Sequence, residues 1–158
     1  MIAVLQRVSR ASVTVENKTV GACGKGLCIL LGVARGDTEA DAEALTAKIV
    51  GLRIFTDDNG KMNLSLNDVG GELLVVSNFT LLASYKKGKR PDYMEAAAPE
   101  EADRLYRYFV ELCRQDVGHI GCGVFGTHME LSIVNDGPVT IVMDSRVLTK
   151  KQHFEGKE

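Results

Sequence analysis

The chain has no long apolar run, no secretory signature, no disulfide-type cysteine spacing and no surplus of basic charge. Each absence removes a class of protein. The longest apolar stretch, residues 27–34, has the length of a buried strand and falls far short of the 18 or more residues that cross a bilayer, so no membrane association is expected. Gln6 and Arg7 interrupt the first apolar residues before a secretory core develops, and a cytoplasmic location is expected. Cys23, Cys28, Cys113 and Cys122 form no CxxC pair and are expected to be reduced and mostly buried. His119, Cys122 and His128 lie close in sequence, but their spacing matches no standard zinc site; neither metal nor cofactor is expected. The formal charge of −2 argues against electrostatic gripping of long nucleic acid, so an RNA partner must be met locally.

Familiar enzyme signatures are missing too. His119, His128 and His153 stand in no recognisable catalytic context, which argues against Ser-His-Asp or Cys-His chemistry. Residues 21–26 hold glycines and a lysine without the GK[ST] ending of a phosphate loop, and read as a hairpin turn.

What is present is the balance of a globular protein: 158 residues, 45% apolar and 25% charged, expected to form one domain over 1–158 with a polar tail fraying from about residue 148. Ile2, Val4 and Val8, then Ala11, Val13 and Val15, predict one or two half-buried strands interrupted at Ser9-Arg10. Turn residues at 17–18 and 24–26 precede a buried strand at 27–33, an opening antiparallel meander. Asp37 or Thr38 caps a helix beginning near Glu39, with Ala42, Leu45, Ile49 and Leu52 on its buried face. A short strand at 52–55, a turn at 57–60 and a central strand at 72–82 follow. After a loop at 84–94, Pro99 starts a second helix with the stripe Ala102, Leu105, Tyr106, Phe109 and Cys113. The last third predicts strands at 124–125, 129–134 and 139–144. The class is α/β: a largely antiparallel or barrel-like sheet with two helices, in the order ββ(αβ)(αβ)βββ.

Two segments resist a purely structural reading. Ser77-Asn78-Phe79-Thr80-Leu81 sets polar side chains at the end of an apolar strand, where they bond locally or build a site. Asn135-Asp136-Gly137-Pro138-Val139-Thr140 is either an ordinary turn or a held backbone, with a cis peptide accessible before proline. Lys86, Lys87, Lys89 and Arg90 form a solvated loop or meet phosphates.

Taken together, these motifs give the chain a specific likeness. With Gln6-Arg7-Val8, Gly60-Lys61-Met62-Asn63, Val69-Gly70-Gly71-Glu72, the KKGKRP run at 86–91 and the helix around Leu105 to Val110, it resembles the D-aminoacyl-tRNA deacylases of bacterial and eukaryotic type, up to Ser145. The resemblance implies hydrolysis of the ester between tRNA and a D-amino acid by a homodimer, with active sites at the subunit interface. The family's Ser-Gln-x-Thr-Leu motif falls on Ser77, Asn78, Phe79, Thr80 and Leu81, and its Asn-x-Gly-Pro-x-Thr motif on Asn135, Gly137, Pro138 and Thr140. A further family segment lining the terminal-adenosine pocket falls on Phe125, Gly126, Thr127, His128 and Met129.

The chain departs from its family in two places. Asn78 replaces glutamine, so a hydrogen bond made by its tip must shift or pass through water. Thr127-His128 replaces Ala-Asp, exchanging an acidic site for a neutral or cationic one.

The implied roles follow. Backbone N–H groups of Phe79 and Thr80, beside Ser77, are candidate oxyanion donors, and Thr80 either positions the substrate or acts as nucleophile, although no base stands near it. Asn78, Phe125, Gly126 and Met129 are candidate binding residues for the 3′ acceptor end. Gly137-Pro138, cis in the family, reaches into the partner's site, rejects L side chains sterically and leaves glycine, including glycyl-tRNA-Ala, a substrate. Arg7 is an exposed edge charge or, by the resemblance, a brace on the Gly-Pro loop. Alternatives from other classes are a catalytically silent module that binds the tRNA end and a proofreader that removes L-alanine, against which Ser77 speaks.

Overall fold

The computed structural model describes residues 1–149; the tail expected to fray lies, from residue 150 on, outside the described residues. The first strand, β1, runs without a break over Ile2–Val15. Its fully buried side chains are Ala3 and Leu5 on the helix-covered face and Val8, Ala11 and Val13 on the other, so burial changes face between Leu5 and Val8 while the strand stays in register with β3. The step of three from Val8 to Ala11 is a bulge, where the register with the final strand shifts between Val8 and Arg10. The interruption at Ser9-Arg10 is therefore a kink in one strand. Ile2 and Val4 occupy its half-buried face.

The strands β2 (Lys18–Cys23) and β3 (Gly26–Gly32) do not continue as a meander. Both pair with β1, β2 along its C-terminal half and β3 along its N-terminal half. Parallel strands then extend the sheet: β6 (Glu72–Ser77) beside β3, and β7 (Ile120–Cys122) beside β6. Parallel neighbours need a long crossover, and α1 (Glu39–Gly51) and α2 (Pro99–Arg114) lie within those crossovers. The chain is thus a mixed α/β fold with a nearly barrel-shaped sheet.

Between α1 and β6 a two-stranded ribbon forms from β4 (Phe55–Thr56) and β5 (Met62–Leu64). The strand expected at 52–55 begins only at Phe55, because Leu52 caps α1 through its N–H to Ile49. The strand expected at 124–125 is a turn, closed by Thr127 N–H and Oγ1 on the Val124 carbonyl. A third, unforeseen helix, α3 (Ser145–Thr149), takes in the start of the stretch expected to fray. Its buried Ser145 hydroxyl accepts from the Met1 ammonium at 2.9 Å and donates to Asp41.

Alternation in β3 and β6 divides the core. Leu27, Ile29, Leu31, Leu73 and Val75 pack with Leu45, Ile49, Leu105 and Phe109 of the helices, while Cys28, Leu74 and Val76 face the inside of the curl with Val8, Ala11 and Val13. Burial on both faces explains why residues 27–33 read as a continuous apolar run.

The curl brings the two ends of the sheet, β2 and β7, into backbone contact. A Cβ on Gly121 would lie 2.5 Å from the Ala22 carbonyl oxygen, and one on Gly21 would lie 2.3 Å from that of Cys122. His119 Nε2 also stands 2.8 Å from the Ala22 carbonyl. Gly121→Ala must push backbone from backbone, with no rotamer to relieve it. It is expected to cost about 1–3 kcal/mol and to lower Tm by roughly 2–4 °C per kcal/mol. An unchanged melting curve would mean that the strand ends do not meet.

The final strand, β8 (Glu130–Asp144), pairs among the described residues with β1 alone. Thr140 is opposite Gln6 and Asn135 is opposite Val8, so two steps along β1 are met by five along β8. Asp136, Gly137, Pro138 and Val139 stand where β1 has Arg7 alone, an excess of three residues, and they leave the ladder as a projecting loop. The strands expected at 129–134 and 139–144 are the two arms of this one interrupted element.

Candidate active site

Where β6 ends, the backbone changes its mode. Asn78 N–H donates to the Leu31 carbonyl at 2.8 Å, the last bond tying this segment to β3, and Phe79–Leu82 then winds into a 3-10 helix. The expected strand to residue 82 stops here because β3 itself ends at Gly32. A helix start leaves its first N–H groups without internal acceptors. Phe79 and Thr80 N–H have no acceptor among the described residues.

Both residues line a mainly apolar cavity of about 1160 Å³. Ser77, Asn78, Phe79 and Thr80 form one part of its lining, and Phe125, Gly126, Thr127, His128 and Met129 another. The structure therefore brings together two candidate segments almost fifty residues apart in sequence. Gly126, at φ +78°, allows the turn that presents the second segment.

The Thr80 hydroxyl donates to Asn78 Oδ1, a neutral amide rather than a base. Asn78 spends its carbonyl on this local bond, leaving its amide N–H₂ for a ligand. Glu101, on the cavity wall, is held below the usual carboxylate range by its hydrogen bonds from Arg104. It is a paired anion and a poor proton donor. Beneath the site, the buried Tyr106 hydroxyl donates to the Val75 carbonyl at 2.8 Å; burial first, and Cys122 beside it, push its pKa upward, so it supports β6 and keeps its proton. Burial likewise raises Cys23 to about 11 and Cys28 and Cys113 to about 12. These thiols are inert packing groups.

Sequence reasoning missed part of the wall. Tyr93 lines the cavity and meets the Phe79 ring edge-on at 5.0 Å between centroids. Arg35, Ala97 and the start of α2 complete that side. Tyr93 and Arg35 lie in irregular chain where no periodicity marks a buried face; the proline-started helix was the one available signal. Among the described residues, no three His, Cys, Asp or Glu side chains gather as a metal site.

Arg7, Gly137 and Pro138 do not line this cavity. Arg7, with its side chain only 11% exposed, donates through Nε to the Asp136 carbonyl at 2.9 Å and through Nη1 to the Ile54 carbonyl at 2.9 Å. Asn135 closes the projecting loop from its other side: Oδ1 accepts from Val139 N–H at 2.8 Å, and Nδ2 donates to the Val139 carbonyl and to Thr140 Oγ1. The Gly137-Pro138 peptide is cis, and both residues are exposed. The loop is fixed by contacts within the chain and presented outward.

Residues 4–144 match the family model described as D-Tyr-tRNA(Tyr) deacylase. A D-aminoacyl-tRNA deacylase of Dehalococcoides mccartyi is 62% identical over 146 residues, covering 92% of this chain and 95% of the relative. That of Caldicellulosiruptor bescii is 56% identical over 92% of this chain and 98% of its own length. Among solved structures, a c-Myc DNA unwinding element binding protein superposes with a TM-score of 0.86 at 43% identity, covering 91% of this chain and 98% of that one.

Proposed function

The chain belongs to the D-Tyr-tRNA(Tyr) deacylase family, whose members hydrolyse D-aminoacyl-tRNA esters, and from that membership we propose how its own backbone does so. The terminal adenosine lies against Phe125, Gly126 and Met129, and the ester carbonyl lies at the start of the 3-10 helix. Water attacks the carbonyl carbon, and the oxyanion accepts hydrogen bonds from Phe79 and Thr80 N–H. The tetrahedral intermediate collapses with loss of the ribose 3′-oxygen, which leaves as a hydroxyl after taking a proton. The products are a free D-amino acid and tRNA. The observation that carries this reading is a pair of amides without an acceptor among the described residues, on two residues that line a cavity of about 1160 Å³. A positioned donor of this kind is typically worth about 3 kcal/mol in the transition state.

Thr80 positions rather than attacks, since its hydroxyl faces the Asn78 amide and no base. Ser77, whose hydroxyl has no hydrogen-bond partner among the described residues, and the Asn78 amide orient the α-amino end of the substrate. The protein works in the cytoplasm as a homodimer. Support for the dimer comes from β8, an edge strand of 15 residues with a single partner strand, which offers its free side to a second chain. In the dimer, Gly137-Pro138 of one copy faces the Cα of the amino acid in the other. An L side chain meets this backbone, a D side chain points away from it, and glycine meets nothing. Glycyl-tRNA-Ala is accordingly a substrate.

Incubating the protein with D- and L-tyrosyl-tRNA in one mixture tests the reading. Selective loss of the D ester is expected, with glycyl-tRNA also consumed; equal survival of the D and L esters would overturn it.

A further inference from the structure

We propose that the loop between Ser84 and Asp92 clamps the phosphates of the tRNA acceptor arm, an inference that deepens the proposed function and rests on it. Lys86, Lys87, Lys89 and Arg90 place four cations within five positions, although acidic residues outnumber basic ones in the chain by 21 to 19. All four are exposed, and none is paired with a carboxylate among the described residues.

The loop is a built object. Ser84 N–H donates to the Asp92 carbonyl at 2.8 Å and Asp92 N–H to the Ser84 carbonyl at 2.9 Å, closing its base. Gly88 turns near its tip at φ +63°. One stalk continues through Ala83 from the 3-10 helix, and the other runs into Tyr93, whose ring lies against Phe79. The basic loop and the candidate oxyanion donors therefore share one anchored piece of chain. A terminal nucleotide seated in the cavity leaves the rest of its ribose-phosphate strand outside, and both stalks of the loop lead back to residues that line that cavity, Thr80 and Tyr93. A polyanion is the occupant that four unpaired cations complement, and Tyr85, 86% exposed beside them, offers a face on which a base can stack.

This division makes substrate size the test. Uncharged tRNA binding is measured against salt for the unaltered chain and for a variant carrying Lys86→Gln, Lys87→Gln, Lys89→Gln and Arg90→Gln. The slope of log affinity on log salt is expected to become shallower by about 0.7–0.9 for each contacting charge removed. KM for D-tyrosyl-tRNA should rise, while turnover of 2′(3′)-O-D-tyrosyl-adenosine, which has no phosphate, stays at the unaltered level. Lys87→Arg, keeping the charge, should behave as the unaltered chain does. An unchanged salt slope overturns the clamp and leaves the loop to a partner other than RNA. An equal loss on tyrosyl-adenosine also overturns it, because the damage would then lie in the cavity. Equal hydrolysis of D and L esters by the unaltered chain would overturn the proposed function instead, and the tRNA-binding slopes would still decide the clamp.

Discussion

Phe79→Pro is expected to lower kcat on D-tyrosyl-tRNA by about 10²–10³, the usual cost of removing one oxyanion donor. The position suits the test. Phe79 opens the 3-10 helix, where proline is tolerated because the lost N–H makes no internal bond. Asn78 before it is extended, at φ −147° and ψ 93°, as a residue preceding proline must be. The substitution also removes the ring that meets Tyr93, so Phe79→Ala is the control. It keeps the amide and loses only the aromatic pair, worth about 0.5–1.5 kcal/mol, or roughly tenfold at most. Catalysis by backbone amides requires the proline variant to fall well below the alanine variant in kcat at similar thermal stability. Equal rates for the two would take the Phe79 amide out of the mechanism.

The helices α1 and α2 were legible in the sequence because their signals are local. Thr38 N–H does donate to Asp41 in a capping box, Pro99 does open α2, and the predicted apolar stripes are the buried faces except at Leu52, which falls at the C-cap of α1. The strand ends were not, because a strand stops where its partner stops. Phe79, Leu81 and Leu82 are apolar enough to prolong β6, yet the parallel ladder runs out at Leu31 opposite Ser77, and the chain must satisfy its backbone by winding into a helix. Pairing partners were hidden for a similar reason. Nothing in residues 18–32 reveals that β1 is long and kinked enough to take both β2 and β3 along its length.

The candidate site divides along the same line. Ser77 to Thr80 stood out as polar residues interrupting an apolar strand, and residues 125–129 were reached through the family likeness; the cavity unites them. Tyr93 and Arg35 contribute through folded position alone. Asn78, which departs from the family's glutamine, finds its acceptor role locally with Thr80 and needs no longer reach for that bond. Gly137 and Pro138 stand apart from the cavity of their own chain, an arrangement that serves the proposed site only across a subunit boundary.

Gly137→Ala tests that arrangement most directly. At φ +144° an added Cβ would stand 2.8 Å from Val139 N, 2.8 Å from Val139 Cγ2 and 3.4 Å from Arg7 Nη2. The positive φ adds strain for any L residue. The loop must therefore move, while β8 on either side keeps its ladder with β1 and the fold persists. If the loop backbone excludes L substrates sterically, displacing it relieves a clash in the wrong complex more than it weakens the right one. The expected result is faster hydrolysis of L-tyrosyl-tRNA, with the D/L ratio of kcat/KM reduced at least about tenfold, or 1.4 kcal/mol of differential transition-state binding. Arg7→Met should act in the same direction from beneath, by withdrawing the donors to the Asp136 and Ile54 carbonyls, and should also lower stability because those carbonyls lose their partner. Measuring kcat/KM for both enantiomers separates the two mechanisms open to the loop. A fall in D activity with L activity still negligible would make Gly137 a contact for the substrate rather than a barrier, and the steric account of chirality would fail.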